Sequence, residues 1–174
     1  MTSKKELFDD LYKVIKLNSG AISANDVVAT EIGDLQIPRG YCARIRKVRF
    51  ALRDLSGQDS VDFGWHVLTA LVLDADDETH VTIPTFEIDH DILVDHRFEM
   101  WGEVITEGMS ALLTPTVVYD FDETLDCITV RNIRHNTLIN GFDVTGVKPQ
   151  VEITVWFTYE KISTDLYAKL LGIS

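Results

Sequence analysis

Residues 151–162 read Val-Glu-Ile-Thr-Val-Trp-Phe-Thr-Tyr-Glu-Lys-Ile, and this stretch decides the fold class. Apolar side chains occupy every second position from Val151 to Tyr159, and Glu or Thr fills most positions between them. Because successive side chains of a β-strand point to opposite faces of a sheet, the alternation predicts a long strand with one buried face. Trp156 breaks the polar face: an exposed tryptophan there is typical of an interface anchor or a ligand platform, and the alternative is that the terminal helix or a loop covers it.

The same kind of pattern recurs along the chain between segments rich in turn-forming residues. The predicted strands cover residues 27–36, 41–54, 62–73, 79–88, 97–106, 116–121, 126–133 and 150–162. No helices are predicted between these strands, which excludes a parallel sheet built from βαβ units and favours a sandwich or jelly roll. We therefore predict an all-β fold, a single jelly-roll or β-sandwich of about eight antiparallel strands with short N- and C-terminal helices.

One predicted strand changes its own register part-way along. Ile45 follows one alternation, whereas Val48 and Phe50 follow the other. An extra residue in one strand of a pair produces such a shift, so we predict a β-bulge near Arg46 and Lys47.

Both ends of the chain carry helix signals. Ser3 and Glu6 have the spacing of a capping box, and the apolar residues that follow predict an amphipathic helix over residues 3–17. Residues 1–20 are thus predicted as helix and linker, and residues 21–174 as the jelly-roll domain, which ends in a short helix capped by Ser163 or Thr164. The predicted interface residues are apolar residues of the two helices and the tryptophan on the polar face of the closing strand: Leu7, Leu11, Ile15, Trp156, Leu166 and Leu170.

The charge of the chain limits its partners. The formal net charge is −12 and the isoelectric point is about 4.7. Because affinity for nucleic acid depends on Lys and Arg that neutralise phosphates, we expect no direct contact with nucleic acid. Five basic residues lie close together in one predicted strand, and strand alternation leads us to expect them on both faces rather than in one stripe. They are Arg44, Arg46, Lys47, Arg49 and Arg53.

Catalytic and metal-binding patterns are weak in this sequence. His90 and His96 lie among carboxylates but stand six residues apart, whereas cupin-type metal sites use His-x-His followed by Glu. We expect a turn with exposed, acid-paired histidines there, no metal and no cofactor. Ser110 lacks the Gly-x-Ser-x-Gly setting of a hydrolase nucleophile, and neither cysteine has a histidine at a recognisable spacing. The sequence therefore predicts a protein that is not an enzyme.

The segments that carry the strand pattern resemble single jelly-roll coat proteins of viruses. One part of the resemblance is the segment Ile37-Pro38-Arg39-Gly40-Tyr41, which leads into Ile45-x-x-Val48-x-Phe50-x-Leu52. The other part is the closing strand followed by residues 163–167. Together the resemblance spans roughly residues 27–170. Coats that package RNA usually carry a basic N-terminal arm, whereas this chain opens with a predicted capped helix and is acidic. Within that family it is therefore closer to small capsid proteins of membrane-containing DNA viruses of bacteria or archaea.

That resemblance implies a structural virion protein that is made in the host cytoplasm and forms a homo-oligomer. It also implies other capsid proteins as partners and proximity to an internal viral membrane. Two further classes remain open from the residues: a carbohydrate- or ligand-binding β-sandwich module, and a cupin-like metal enzyme.

Overall fold

A computed structural model describes residues 12–54, 65–73, 92–100, 116–121, 127–142, 144 and 148–171. Within them the chain forms strands and one helix, here numbered in chain order. The strands are β1 (Lys13–Asn18), β2 (Val28–Gly33), β3 (Tyr41–Arg53), β4 (Trp65–Leu73), β5 (Ile92–Met100), β6 (Thr116–Asp120), β7 (Ile128–Thr129), β8 (Ile133–Asn140) and β9 (Gln150–Lys161), and the helix is α1 (Thr164–Leu170).

Two antiparallel sheets pack face to face, as predicted. One has the strand order β1-β9-β3-β6, with β7 also paired to β3, and the other has the order β2-β8-β4-β5. The pairs are nested, because β1 pairs with β9, β2 with β8, β3 with β6 and β4 with β5. A long antiparallel ribbon rolled into two sheets gives this order, and it is the strand order of a single jelly roll.

The core lies between the two inner faces. Phe50 is fully buried at its centre, and Val48 and Leu52 flank it on the same face of β3. From β9 the core receives the alternating apolar residues that decided the fold class, and from the other sheet it receives Val67, Leu71, Ile133 and Ile139. Since both sheets twist and each contributes one apolar face, their side chains interdigitate into one continuous core.

The predicted N-terminal helix is wrong for residues 13–17, which belong to β1. Ile15 and Leu17 face the core, whereas Val14 and Lys16 face solvent, so the side chains alternate with the period of a strand. The edge of β9 was open to pairing, and β1 fills it over six residue pairs from Lys13 to Asn18. Residues 3–11 of the predicted helix lie outside the described part of the chain.

Gly33 allows β1 to approach β2 closely. A Cβ atom placed on Gly33 would lie 3.0 Å from the side chains of both Ile133 and Leu17 and 3.2 Å from that of Ile15. Strand β1 is therefore packed into the sandwich. Its residues had been assigned to a separate N-terminal segment, residues 1–20, and they belong to the sandwich instead.

Strand β8 was not predicted over most of its length. The sequence indicated a strand at 126–133, but that region holds only the two-residue β7 and the first residue of β8. Arg134, Asn136 and Thr137 lie beyond the end of the predicted strand, yet all three are buried in a central strand that pairs with both β2 and β4. Their burial depends on cross-strand partners that periodicity does not reveal.

Four of the other predicted strands match strands of the structure closely. The predictions at 27–36, 41–54, 116–121 and 150–162 match β2, β3, β6 and β9 to within a few residues. Strand β4 matches the described end of 62–73, and β5 begins five residues before the predicted start at 97. The prediction at 79–88 and the stretch 101–106 lie outside the described residues.

Strand β4 has an apolar sequence on both of its faces, which is typical of a central strand. It does lie between β8 and β5, and Ala70 and Val72, which point away from the other sheet, are as buried as Val67 and Leu71. This burial arises within a single copy of the chain. The apolar outer side of β4 therefore gives no argument for a partner subunit.

The C-terminal helix is confirmed. Ser163 is its N-cap, and its hydroxyl accepts a hydrogen bond from the amide of Leu166 at 3.2 Å. None of the residues of α1 is buried, and the guanidinium of Arg131 donates to the carbonyl of Leu171 at 3.4 Å. Helix α1 is thus exposed, and the hydrogen bond from Arg131 contacts its C-terminal end.

Candidate functional site

The side of the β1-β9-β3-β6 sheet that faces away from the core is the candidate site, and we call it the outer face. Its residues alternate with the core residues of the same strands and lie side by side in register, so that Val14, Trp156, Lys47 and Asp120 form one row across the sheet. The other members used below are Lys16, Arg44, Arg46, Arg49, Arg53, Val118, Glu152, Thr154, Thr158 and Glu160.

The predicted β-bulge is confirmed, and it changes the distribution of charge. The pairing of β3 with β9 shifts between Ile45 and Lys47, so Arg46 is the extra residue. Before the bulge Arg44 faces outward, and after it Lys47, Arg49 and Arg53 face outward as well. The expectation that the five basic residues split between both faces is therefore wrong, because the bulge restores them to one face.

The outer face is basic within an acidic chain. It carries six Lys or Arg side chains and three carboxylates, a net charge of +3, while the whole chain has −12. The remaining residues together therefore carry −15. All of this negative excess belongs to residues outside the described part, which sum to −16, and the described residues beyond the outer face sum to +1.

Four of the five basic residues on β3 form ion pairs within the sheet. Glu160 on β9 accepts from both Arg44 Nε at 2.6 Å and Arg46 Nη2 at 3.0 Å. Lys47 Nζ lies 2.8 Å from Asp120, and Arg53 Nε lies 3.1 Å from Glu152. These pairs are partly exposed, so each stabilises the fold by only about 0–1 kcal/mol.

Arg49 differs from these four because no carboxylate pairs with it in the described part of the chain. Its Nη2 donates to the hydroxyl of Thr154 at 3.2 Å, and its Nε is a buried donor without a hydrogen-bond partner. A buried donor left unpaired costs about 1–3 kcal/mol of desolvation. This guanidinium is the most poorly satisfied cation on the outer face.

A cavity of about 190 Å³ lies beside Arg49. Its polar lining consists of Lys16, Asn18, Glu31, Arg49, Glu152 and Thr154. The two carboxylates are already engaged, since Glu152 pairs with Arg53 and Glu31 accepts from the backbone amide of Asn18 at the edge of β1. Lys16 makes no ion pair within the described residues, and the lining as a whole holds two cations and two carboxylates.

Trp156 lies on the outer face, as its position in the polar series predicted. It is half-buried between Val14, which is 51% exposed, and Lys47. Val118, which lies on β6 of the same face, is 47% exposed. These apolar side chains next to cations have the composition of an interface more than that of a solvated strand.

The remaining predicted interface residues are placed in different parts of the molecule. Ile15 packs against the core from β1, so it lies in a strand and not in the predicted amphipathic helix. Leu166 is 38% exposed and Leu170 is half-buried on α1. Leu7 and Leu11 lie outside the described residues.

The sandwich interior contains histidines that the sequence placed at the surface or did not single out. His96 was expected in an exposed turn, but it points inward from β5, where Nδ1 lies 2.9 Å from the Tyr119 hydroxyl and its ring packs on Phe98. Burial lowers the pKa of His96, although the neighbouring Asp95 acts in the opposite direction. His90 lies outside the described residues. Among those the structure describes, no three His, Cys, Asp or Glu side chains are placed to hold a metal ion.

Among the residues that the structure describes, His135 is the most deeply buried ionisable group. Its Nε2 lies 2.8 Å from the hydroxyls of both Thr69 and Thr137, while Nδ1 has no hydrogen-bond partner. Burial lowers the pKa of His135 to about 3. The imidazole therefore stays neutral at physiological pH and serves as a packed core residue.

The two thiols have the character of structural groups. Burial is the main reason that the pKa of Cys42 is raised, and burial raises the pKa of Cys127 to about 11. Since the thiolate is the reactive form of cysteine, neither side chain is set up as a nucleophile at neutral pH.

No known protein family has a model that matches this chain, and no curated protein matches it either. Helices long and apolar enough to cross a membrane are absent from the described residues. The fold and the outer face are therefore the features of the chain that bear on its function.

Proposed function

We propose that this chain is a structural subunit of a viral capsid, a single jelly roll that self-associates and catalyses no reaction. The observation that carries the proposal is the strand order, β1-β9-β3-β6 against β2-β8-β4-β5. Jelly rolls of this order are used by viral capsid and lectin domains and by cupins. Because a fold alone does not determine a function, the surface has to distinguish these classes.

Two surface features favour a capsid subunit. Among the described residues, the outer face combines exposed apolar side chains with a net positive charge. Helix α1 buries none of its residues and leaves Leu166 exposed, so it is available to a neighbouring subunit. In this proposal the partners are other copies of the chain and other capsid proteins. The location is the virion, close to an internal viral membrane, after synthesis in the host cytoplasm.

Self-association is the property to measure. Sedimentation velocity of the purified chain over a hundredfold range of concentration, at low and high salt, is expected to show oligomers that grow with concentration. A chain that sediments only as a 19.7 kDa monomer under every condition contradicts the proposal.

A carbohydrate-binding module is the second candidate function, because Trp156 is half-buried next to the polar cavity that Thr154 lines. Aromatic rings with adjacent hydrogen-bonding groups are typical of ligand sites. Titration of tryptophan fluorescence with a glycan panel separates the two functions when Trp156→Phe serves as the control. A saturable signal that this substitution removes supports the ligand-binding function, whereas a capsid subunit gives none.

A further inference from the structure

Strand β1 lies at one edge of its sheet, and the direction of its backbone groups follows from its pairing with β9. Ser19, directly after the strand, donates its amide to the carbonyl of Val151 at 3.0 Å. Because residues of an antiparallel strand bond alternately to one side and the other, the odd-numbered residues of β1 bond to β9 and the even-numbered residues point away from it. The amide of Asn18 agrees with this assignment, since it donates to the side chain of Glu31.

The part of this edge that remains open runs from Tyr12 to Lys16. Glu31 closes the edge at Asn18, but no hydrogen bond joins the amides of Val14 and Lys16 to another described residue. Tyr12, directly before the strand, is 64% exposed, and Val14 is 51% exposed. A strand edge with unpaired N–H and C=O groups is a template for a further strand.

We propose that the open edge of β1 pairs with the same edge of a second copy of this chain, antiparallel and about a twofold axis at Val14. This inference rests on the proposed self-association and names one contact that produces it. Because the two edges are identical, every donor of one copy meets an acceptor of the other, and the contact is isologous. The two β1-β9-β3-β6 sheets join into one continuous sheet across the dimer.

The side chains of β1 suit this register. With Val14 opposite Val14 of the second copy, Lys16 lies opposite Tyr12 on the outer face, and Lys13 lies opposite Ile15 on the core side. No like charges face each other across the axis. The ammonium group of Lys16 can also approach the ring of Tyr12, and such cross-strand pairs are favourable.

The neighbouring registers suit the edge less well. An axis at Ile15 or at Lys16 makes the second copy pair with Asn18, whose amide Glu31 already occupies. An axis at Lys16 in addition places two ammonium groups directly opposite each other, which is destabilising. The bond between Glu31 and Asn18 and the charge of Lys16 therefore select the axis at Val14.

The contact also extends the apolar part of the outer face. Val14 and Trp156 are neighbours in one row of the sheet, so the dimer aligns two valines and two tryptophans across the axis. The contact is nevertheless small, since five residues of strand span about 17 Å, whereas a standard interface uses about 20–30 residues a side. We therefore expect a weak dimer, with a Kd of about 10–100 μM.

Hydrogen exchange of single amides, followed by NMR at low and high concentration of the full chain, tests the contact. The amides of Val14 and Lys16 should exchange fast in the monomer and become protected as the chain associates. The amides of Ile15 and Leu17 are the matched control, because they bond to β9 in the single copy and should be protected at both concentrations. Protection of Val14 and Lys16 already in the monomer means that the same chain covers the edge, and it overturns the proposal.

Proline at position 14 removes the contact selectively. The amide of Val14 makes no bond within the described residues, so Val14→Pro should keep the urea midpoint of the monomer close to that of the wild type. It should weaken association, measured by sedimentation velocity, at least about 10-fold, because the central hydrogen-bonded pair is lost. Val14→Thr is the matched control: it keeps the amide and the β-branched shape, and association should change by no more than about threefold.

A cysteine at the same position reports the register and serves as the second variant should Val14→Pro fail to fold. Directly opposite residues of a hydrogen-bonded pair have Cα atoms about 5.5 Å apart, within the range that a disulfide spans. Val14→Cys should therefore form a covalent dimer with oxidised glutathione. Val118→Cys, which is similarly exposed but lies on β6 at the opposite edge, should form none above the wild-type level.

The results separate this contact from the proposed function. If the wild type associates while Val14→Pro associates equally well and Val14→Cys does not crosslink, the β1 contact is wrong and the capsid proposal stands. If the wild type never associates, both fail. Dimers that depend on Val14 and never assemble further support the contact and contradict the capsid subunit.

Discussion

Replacing Phe50 with alanine is expected to destabilise the folded chain by about 3–5 kcal/mol, a large share of the stability of a domain this size. Phe50 is fully buried, and three rings surround it: Tyr119 at 6.2 Å in a T-shaped arrangement, His135 at 6.4 Å and His96 at 6.5 Å between centroids. The smaller alanine side chain leaves a cavity between the two sheets. Because each sheet is held rigid by its own hydrogen bonds, the sheets move together only partly and the cavity remains. Aromatic contacts are lost in addition to buried area.

Urea denaturation at a fixed protein concentration measures this effect. Val118→Ala is the matched control, because Val118 lies on β6 beside β3 but is 47% exposed on the outer face. Its expected cost is within about 0.5 kcal/mol. A loss below about 1 kcal/mol for Phe50→Ala would mean that the two sheets do not pack around this side chain.

Acidification is expected to destabilise the protein through His135. Its pKa is about 3 in the folded chain and about 6.5 in the unfolded chain, so below pH 6.5 the unfolded state binds a proton that the folded state does not. The stability that depends on neutral His135 is complete above pH 6.5 and is lost as the pH falls towards 3. Between pH 7 and pH 4 this loss amounts to about 3 kcal/mol.

The His135→Gln variant isolates this contribution. Glutamine can still bond to Thr69 and Thr137 but does not titrate, so its unfolding free energy should fall less than that of the wild type between pH 7 and pH 4. Carboxylates contribute equally to both proteins and cancel in the comparison. Identical pH profiles for the two proteins would show that His135 is not the buried neutral group described above.

The sequence predicted the fold well where one face of a strand is apolar and the other polar. Strand β9 and the two halves of β3 have this pattern, and the register change within β3 located the bulge at Arg46. Strand β1 was misassigned because Leu11 and Ile15 are four residues apart, which fits a helix, while Ile15 and Leu17 fit a strand. Only the open edge of β9 decides between the two periods, and that edge exists only in the folded chain.

The candidate site was predicted in part. Trp156 was recognised from its place in an otherwise polar series, but the basic outer face was missed even though the bulge that creates it was predicted. An odd number of inserted residues reverses the facing of every later side chain, so Arg44 and Arg49 share a face that simple alternation denies them. The unpaired state of Arg49 could not be predicted, since it depends on which carboxylates of β6 and β9 reach β3.

Electron microscopy of the purified chain at the concentration where sedimentation shows association tests the central claim most directly. The proposed capsid subunit predicts closed particles of uniform size, rings or shells in which neighbouring jelly rolls repeat one contact. Fields that contain only monomer-sized particles or irregular aggregates, at low and high salt alike, would contradict it.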